Sequence, residues 1–310
     1  MHPQRPYSFI FLVLGVIAAL GVGTRSSAAG TVQDEDSVGS LLSRLNDQIA
    51  ARGLNVRISK AEWVTLDAHN AAGQTVFAND RSKILDSQWV PADPRRGSRT
   101  NITYLVDQSD GAANPSLTNA QTEAAIDRAF ATWAGVSCTT LQIQKVADPG
   151  YDPDIIDGLF GFGTVGTPFA ADIVDAGWMP GAFFDAVFPG GSGFILATTF
   201  TLSFLDLPSG DDINHDGKLD TAFCETYYNN AFPWAIDTAI PPVDVETVAL
   251  HETGHGLGHD HFGKVFETDS NGKLHTSPFA VMNAVITQEV HTLEASDTGA
   301  HCSIWANWPH

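Results

Sequence analysis

The sequence reads as a globular protein that mixes helices with strands. Two observations carry this. Apolar residues recur at helical spacing over 37–52 and 118–133, whereas β-prone residues fill 102–106 and 194–205. The 310 residues are also 43% hydrophobic and only 17% charged, which is enough apolar material for a core and too little charge for disorder. The length suits one large domain or two small ones, and no internal repeat or low-complexity tract is present.

The charge balance narrows the partners. Lys and Arg total 16 against 36 Asp and Glu, a formal net charge of −20. Such a chain repels phosphate backbones and anionic membrane surfaces, so nucleic acid and membrane are excluded as partners of the mature form. It suits hard cations held by carboxylates.

The elements follow in order. His2 and Arg5 precede an apolar run over 9–23, and Ser-Ser-Ala-Ala follows at 26–29. This is the pattern of a secretory signal peptide, 1–29, cut near Ala28 or Ala29, and it predicts a secreted protein. The run is shorter than the ~20 residues a membrane anchor needs. Residues 30–36 read as a polar linker. Leu41, Leu42, Leu45 and Ile49 place a helix over 37–52, ended by Gly53, and Val56, Ile58, Val64 and Leu66 suggest strands. A Pro- and Arg-rich loop over 91–97 marks a boundary between 30–97 and 98–310.

Beyond that loop, 102–106 is a strand. Thr118 and Gln121 form a capping box for a helix whose stripe is Ala125, Ile126, Ala129, Phe130 and Trp133. Residues 141–146 form another strand. Residues 158–193 read as long loops around a short strand near Ile173, and 194–205 as a strand. A carboxylate loop over 211–220 and a long irregular stretch lead to a helix over 243–257. The three cysteines, Cys138, Cys224 and Cys302, allow one disulfide in an exported chain, with the pairing open.

The chemistry concentrates in His251-Glu-Thr-Gly-His-Gly-Leu-Gly-His-Asp-His261, which satisfies H-E-x-x-H-x-x-G-x-x-H. Chance agreement at the five fixed positions has odds of roughly 10⁻⁵ to 10⁻⁴. His251 and His255 stack on one helix face and can share a Zn²⁺ ion. Glu252 is rotated by about 100° from His251 and is better aimed at a metal-activated water than at the metal. A third ligand requires the helix to end. Gly258 can take the left-handed turn that folds His261 back. His259 would align only on an unbroken helix, and Gly256 and Gly258 argue against that.

With those residues in view, the chain resembles the metzincin zinc metallopeptidases, and among them the matrixins (matrix-metalloproteinase-like). Residues 248–261 are similar to the matrixin zinc helix, and Met282 in Ala280-Val-Met-Asn283 matches the methionine turn. More loosely, 129–133 resembles the first matrixin helix, 171–173 the start of a central strand, and Ile195, Leu196, Ala197, Thr198 and Thr199 the edge strand that holds substrate. The resemblance implies an α+β, zincin-like catalytic domain over 98–310: a twisted mixed sheet, an upper helix and the zinc-binding helix. It implies that 30–97 is a pro-segment, released near Arg95-Arg96, or else a small N-terminal subdomain. Two departures stand out. Asn283-Ala284 replaces the usual Tyr-Pro after the methionine, and no cysteine precedes Cys138, so a cysteine switch within the pro-region is excluded.

A second signal is the loop Asp212-Ile-Asn-His-Asp-Gly-Lys-Leu-Asp220. Asp212, Asn214, Asp216, Lys218 and Asp220 stand where a structural Ca²⁺ would find oxygen ligands, although Phe223 occupies the place of the closing Glu.

The expected function is a secreted, monomeric zinc metalloendopeptidase acting on protein or peptide substrates. Zn²⁺ on His251, His255 and His261 would activate water, with Glu252 as general base. The rival reading is a secreted calcium-dependent binding or structural module with a vestigial zinc site. A zinc hydrolase of non-peptide amides fits the same motif.

Overall fold

A computed structural model describes residues 28–66, 72–78, 87–113, 115–205, 212–268 and 273–309. The signal segment expected at 1–29 lies outside these residues up to position 27. In chain order the elements begin with α1 (Ala28–Ala51), β1 (Val56–Leu66), β2 (Gln74–Phe77), β3 (Ser87–Gln88), β4 (Ile102–Val106), α2 (Asn119–Ala134), β5 (Ile143–Lys145), α3 (Ile156–Phe160) and β6 (Ile173–Met179). They continue with α4 (Gly181–Val187), β7 (Ile195–Phe204), β8 (Leu219–Asn229), β9 (Trp234–Ala235), β10 (Val243–Asp244), α5 (Val245–Gly256), β11 (Lys264–Thr268), β12 (Lys273–Ser277), β13 (Val285–Ile286) and α6 (Ala295–Trp305).

The fold is mixed α+β. A nine-stranded mixed sheet runs β13-β1-β7-β8-β6-β4-β5, with β2 added to β1 and β3 to β8. β8, β6, β4 and β5 are parallel, β7 is antiparallel to β8, and β1 is antiparallel to β7. Helices cover both faces. Ala125, Phe130 and Trp133 of α2 and Val248, Ala249 and Leu250 of α5 share one core with Ile102, Leu196 and Met282. Leu42 and Ile49 of α1, Ile156 of α3 and Phe183 of α4 share the other with Ile58, Trp63, Phe200 and Tyr227.

Several expectations are corrected. Helix α1 starts at Ala28, so the supposed linker is helical; its polar, acidic sequence suits the N-terminal half of a helix and does not forbid one. The stretch after 220, expected to be irregular, opens with most of β8, an eleven-residue strand buried throughout. The strand expected near Ile173 is β6, seven residues long, and 158–193 also contain α4, which the loop reading missed. Helix α6 was not anticipated. β7 is no edge strand, because β1 lies along it from Val56↔Phe204 to Thr65↔Ile195. The capping box is present: Gln121 N donates to Thr118 Oγ1 at 3.3 Å and Thr118 N to Gln121 Oε1 at 3.0 Å.

The loop at 91–97 turns the chain without dividing the fold, since residues on both sides build one sheet and one core. The Arg pair there is embedded. The Arg96 side chain is 1% exposed, donates to Asp172 Oδ1 at 2.9 Å and lies over the Trp89 ring. Arg95 pairs with Asp93 and with Asp220. Cys138 and Cys302 form the disulfide, tying the end of α2 to α6, and Cys224 is a buried free thiol.

Candidate metal centre

Helix α5 begins where Asp244 Oδ2 accepts from Thr247 N at 2.8 Å. It ends at Gly256, and Gly258, at φ 86°, makes the left-handed turn that redirects the chain. Three indoles donate to carbonyls of this helix and its exit. Trp133 Nε1 donates to Leu250 O, Trp89 Nε1 to Gly256 O and Trp305 Nε1 to Leu257 O, at 2.9, 2.9 and 3.2 Å. Helix α5 and its exit are thereby fixed to α2, to the residue after β3 and to α6.

The result is the convergence the motif predicts. His251 Nε2 lies 3.0 Å from His255 Nε2, and both lie 3.3 Å from His261 Nε2. Tetrahedral zinc with Zn–N bonds of about 2.0–2.1 Å separates its ligand nitrogens by about 3.3–3.4 Å, so the set fits. The Nδ1 atoms support this. His251 Nδ1 donates to Val281 O and His255 Nδ1 to His259 O, each at 2.7 Å. The Nε2 lone pairs are then left facing one another, an arrangement that a cation relieves. Burial, then the neighbouring imidazoles, holds His251 well below the usual histidine range; burial, then His255, takes His261 down to about 3. Those two rings are held in the neutral form a metal needs, whereas at His255 burial is outweighed by the Glu62 carboxylate and the net shift is upward.

His259 is not part of the set. Its ring stacks on Trp133 and its Nε2 meets His301 Nδ1 at 3.1 Å. Met282 lies directly beneath α5, where a Cβ added to Gly254 would fall 2.3 Å from its sulfur. Asp297 anchors that turn by accepting from Val281 N at 2.9 Å and Met282 N at 3.2 Å. Asn283 braces it further, donating to Phe262 O at 2.8 Å and Pro278 O at 3.1 Å. Thus the residue that departs from the matrixin pattern has a structural task here. Asp297 carried no readable signal in the sequence, and Asn283 stood out there only as a departure from the resemblance.

Glu252 is fully buried. Its Oε2 accepts from Thr199 Oγ1 at 2.6 Å, and its Oε1 has no hydrogen-bond partner. Burial pushes it up to about 7, against the opposing pull of His255 and Thr199. A carboxyl so poised both takes and gives a proton near neutrality.

The N-terminal segment supplies two further groups. Glu62 Oε1 lies 3.3 Å from His255 Nδ1, and Lys60 Nζ bridges Glu62 Oε2 at 3.0 Å and Asp260 Oδ1 at 2.6 Å. Burial would raise Glu62, but His255 and Lys60 outweigh it and hold the carboxylate well below its usual range. Sequence reasoning missed this pair, because nothing in a strand pattern announces a partner some 200 residues away. With β1 in place, His251, Glu252, Lys60 and Glu62 are all at most 1% exposed. His261 is less covered and faces a cavity of about 310 Å³, also lined by Trp89, Phe262, Met282 and Trp305.

In the loop expected to hold calcium the carboxylates accept from backbone N–H groups. Asp212 accepts from the Asp216 and Gly217 N–H groups, at 3.1 and 2.8 Å, and Asp216 from Lys218 N at 2.8 Å. Asp220 belongs to β8, accepts from Ile213 N at 2.8 Å and pairs with Arg95. Among the described residues, the loop's three carboxylates do not gather as a ligand group; Asn214 turns its amide to Asp216.

No protein-family model matches the chain, and no curated protein is significantly similar to it.

Proposed function

We propose that the chain is a secreted zinc metalloendopeptidase of the matrixin type, made in a latent form. The observation that carries this reading is the approach of three Nε2 atoms to 3.0–3.3 Å above a helix that also presents the buried, half-partnered carboxylate of Glu252. The packing of α2 and α5 on one face of a mixed sheet and the methionine beneath α5 agree with a metzincin-like fold.

His251, His255 and His261 would hold zinc. The chemistry such an ion supplies is Lewis-acid polarisation of a carbonyl and acidification of water. The chain's own part is proton transfer and alignment. Thr199 fixes Oε2 of Glu252, leaving Oε1 to take a proton from water and deliver it to the departing amide nitrogen. An extended substrate would pair with the main chain of β7.

In the intact chain that pairing edge is taken by β1, with Lys60 and Glu62 seated against the centre. Latency follows, and β1 must leave before a peptide can bind.

The test uses the full chain before and after limited proteolysis, with casein and with a quenched peptide. Cleavage is expected only once β1 is released. Glu252→Ala should keep its zinc and lose turnover by at least about 10³-fold, as removal of a general base requires. Undiminished turnover in that variant contradicts the reading.

A further inference from the structure

The cavity beside His261 has a chemistry that the metal centre does not use. Its volume of about 310 Å³ is that of a small-molecule site. The exit of α5 bounds it on one side, α6 on another, and Trp89, just after β3, on a third.

The walls are aromatic carbon. Trp89, Trp305 and Trp308 line the cavity, and each indole N–H is already engaged, with Gly256 O at 2.9 Å, Leu257 O at 3.2 Å and Thr100 O at 2.6 Å. These rings therefore offer a ligand their faces and edges and no donor. Phe262 and Ile304 also line the cavity, and they are 45% and 38% exposed, so apolar surface continues from the hollow to the solvent.

Two donors on the lining are left over. His261 turns Nε2 to the other two imidazoles, and among the described residues nothing bonds its Nδ1. His251 and His255 differ, since each places Nδ1 on a carbonyl at 2.7 Å. A histidine that holds a metal almost always donates its second N–H to an oxygen. Lys218, an exposed residue, lines the same cavity and forms no ion pair among the described residues. The two acids of the wall are already answered. Asp260 pairs with Lys60 at 2.6 Å, and Asp297 accepts from the N–H groups of Val281, Met282 and Glu294. An anionic head thus finds a cation and an N–H donor, and an apolar ring finds the indoles.

We propose that this cavity binds a small aromatic carboxylate, its ring against Trp89, Trp305 and Trp308 and its carboxylate on His261 Nδ1–H and Lys218. Trp89 belongs to the N-terminal segment and α6 to the C-terminal one, so a molecule seated here joins the two and stabilises the intact chain. The site stands on the cavity and its lining, and does not depend on the peptidase reading.

The probe is 3-phenylpropionate, titrated into the full chain with and without zinc and followed by tryptophan fluorescence and calorimetry. One saturable site is expected in both forms, and saturation should raise Tm by about 2–5 °C. Ile304→Asp should weaken binding at least about tenfold, because it sets an unpaired charge against the apolar lining. Lys218→Glu should weaken it at least about threefold, and the neutral 3-phenylpropionamide should bind more weakly than the acid. Lys218→Glu lies on an exposed loop and keeps the test decisive if Ile304→Asp misfolds. No saturable binding at millimolar probe would overturn the proposal, as would binding unchanged in Lys218→Glu or an amide that binds as well as the acid. Binding that vanishes when zinc is removed would also overturn it, since the carboxylate would then be on the metal.

Discussion

Thr199, in the middle of β7, donates its hydroxyl to Oε2 of Glu252 at 2.6 Å and also meets the Thr226 hydroxyl at 2.8 Å. The proposed substrate strand and the proposed general base are thus joined by one side chain. Without it, both carboxylate oxygens of Glu252 would lack partners in a buried site. Thr199→Val should lower kcat of the activated enzyme about tenfold with little change in KM, since a hydrogen bond to a charged group contributes about 1.5–3 kcal/mol. Thr199→Ser should restore most of the rate. Steady-state kinetics of the two variants check this; an unchanged kcat in Thr199→Val would contradict the role.

Gly254 and Met282 make a second close relationship. A Cβ at Gly254 would fall 2.3 Å from Met282 Sδ and 3.0 Å from Trp133 Cζ2, both in a packed core. Gly254→Ala should therefore destabilise by about 1–3 kcal/mol, the usual cost of overpacking. Gly39→Ala is the contrast: it lies in α1 with nothing within 4 Å of an added Cβ, and should stabilise by about 0.5–1 kcal/mol. Urea unfolding of both variants measures the difference in sign.

The Arg95-Arg96 pair reads in sequence as a processing site, yet its side chains are built into the fold. Arg96 is ion-paired to Asp172 and donates to Val90 O and Asn101 O, both at 3.1 Å. Native trypsin digestion followed by mass spectrometry should show no cut after either residue until the protein unfolds locally. Arg96→Met, which leaves Asp172 with Arg99 and the two donors of Thr103, should cost about 1.5–3 kcal/mol, the contribution of a hydrogen bond to a charged group. Rapid native cleavage at 95–97 would contradict the burial argument.

His291 reports on the start of α5. Its Nε2 meets Asp244 Oδ2, the cap of that helix, at 2.9 Å. Burial lowers its pKa, but the bond to Asp244 and the charges of Glu246 and Glu289 raise it further, so the net shift is upward. A folded pKa above the unfolded value of about 6.5 means that this stability is complete below about pH 6 and lost as pH rises through the folded value. His291→Gln should therefore lose more stability relative to wild type at about pH 6 than at about pH 9. Paired denaturation curves at the two pH values test the sign.

The three converging histidines and Glu252 were legible because their pattern is local: five fixed residues within eleven positions and a glycine that must turn the chain. The capping box of α2 was legible for the same reason. β8 was not, because it is buried on both faces and shows no alternation, and its Glu225 is satisfied from a distance by the N–H groups of Ile155 and Ile156, both at 3.0 Å. Lys60 and Glu62 carried no signal of a role in the sequence; only the folded β1 brings Glu62 against His255 and Lys60 beside Glu62. Asp220 had the spacing of a calcium ligand, but Arg95 claims it across the fold.

Anomalous diffraction at the zinc edge, on crystals of the intact chain, tests the central claim most directly. One peak is expected, bonded to Nε2 of His251, His255 and His261, and it should be absent in His255→Ala. A crystal without zinc, or a peak at another cluster such as Asp237, Glu246 and His291, would contradict the account.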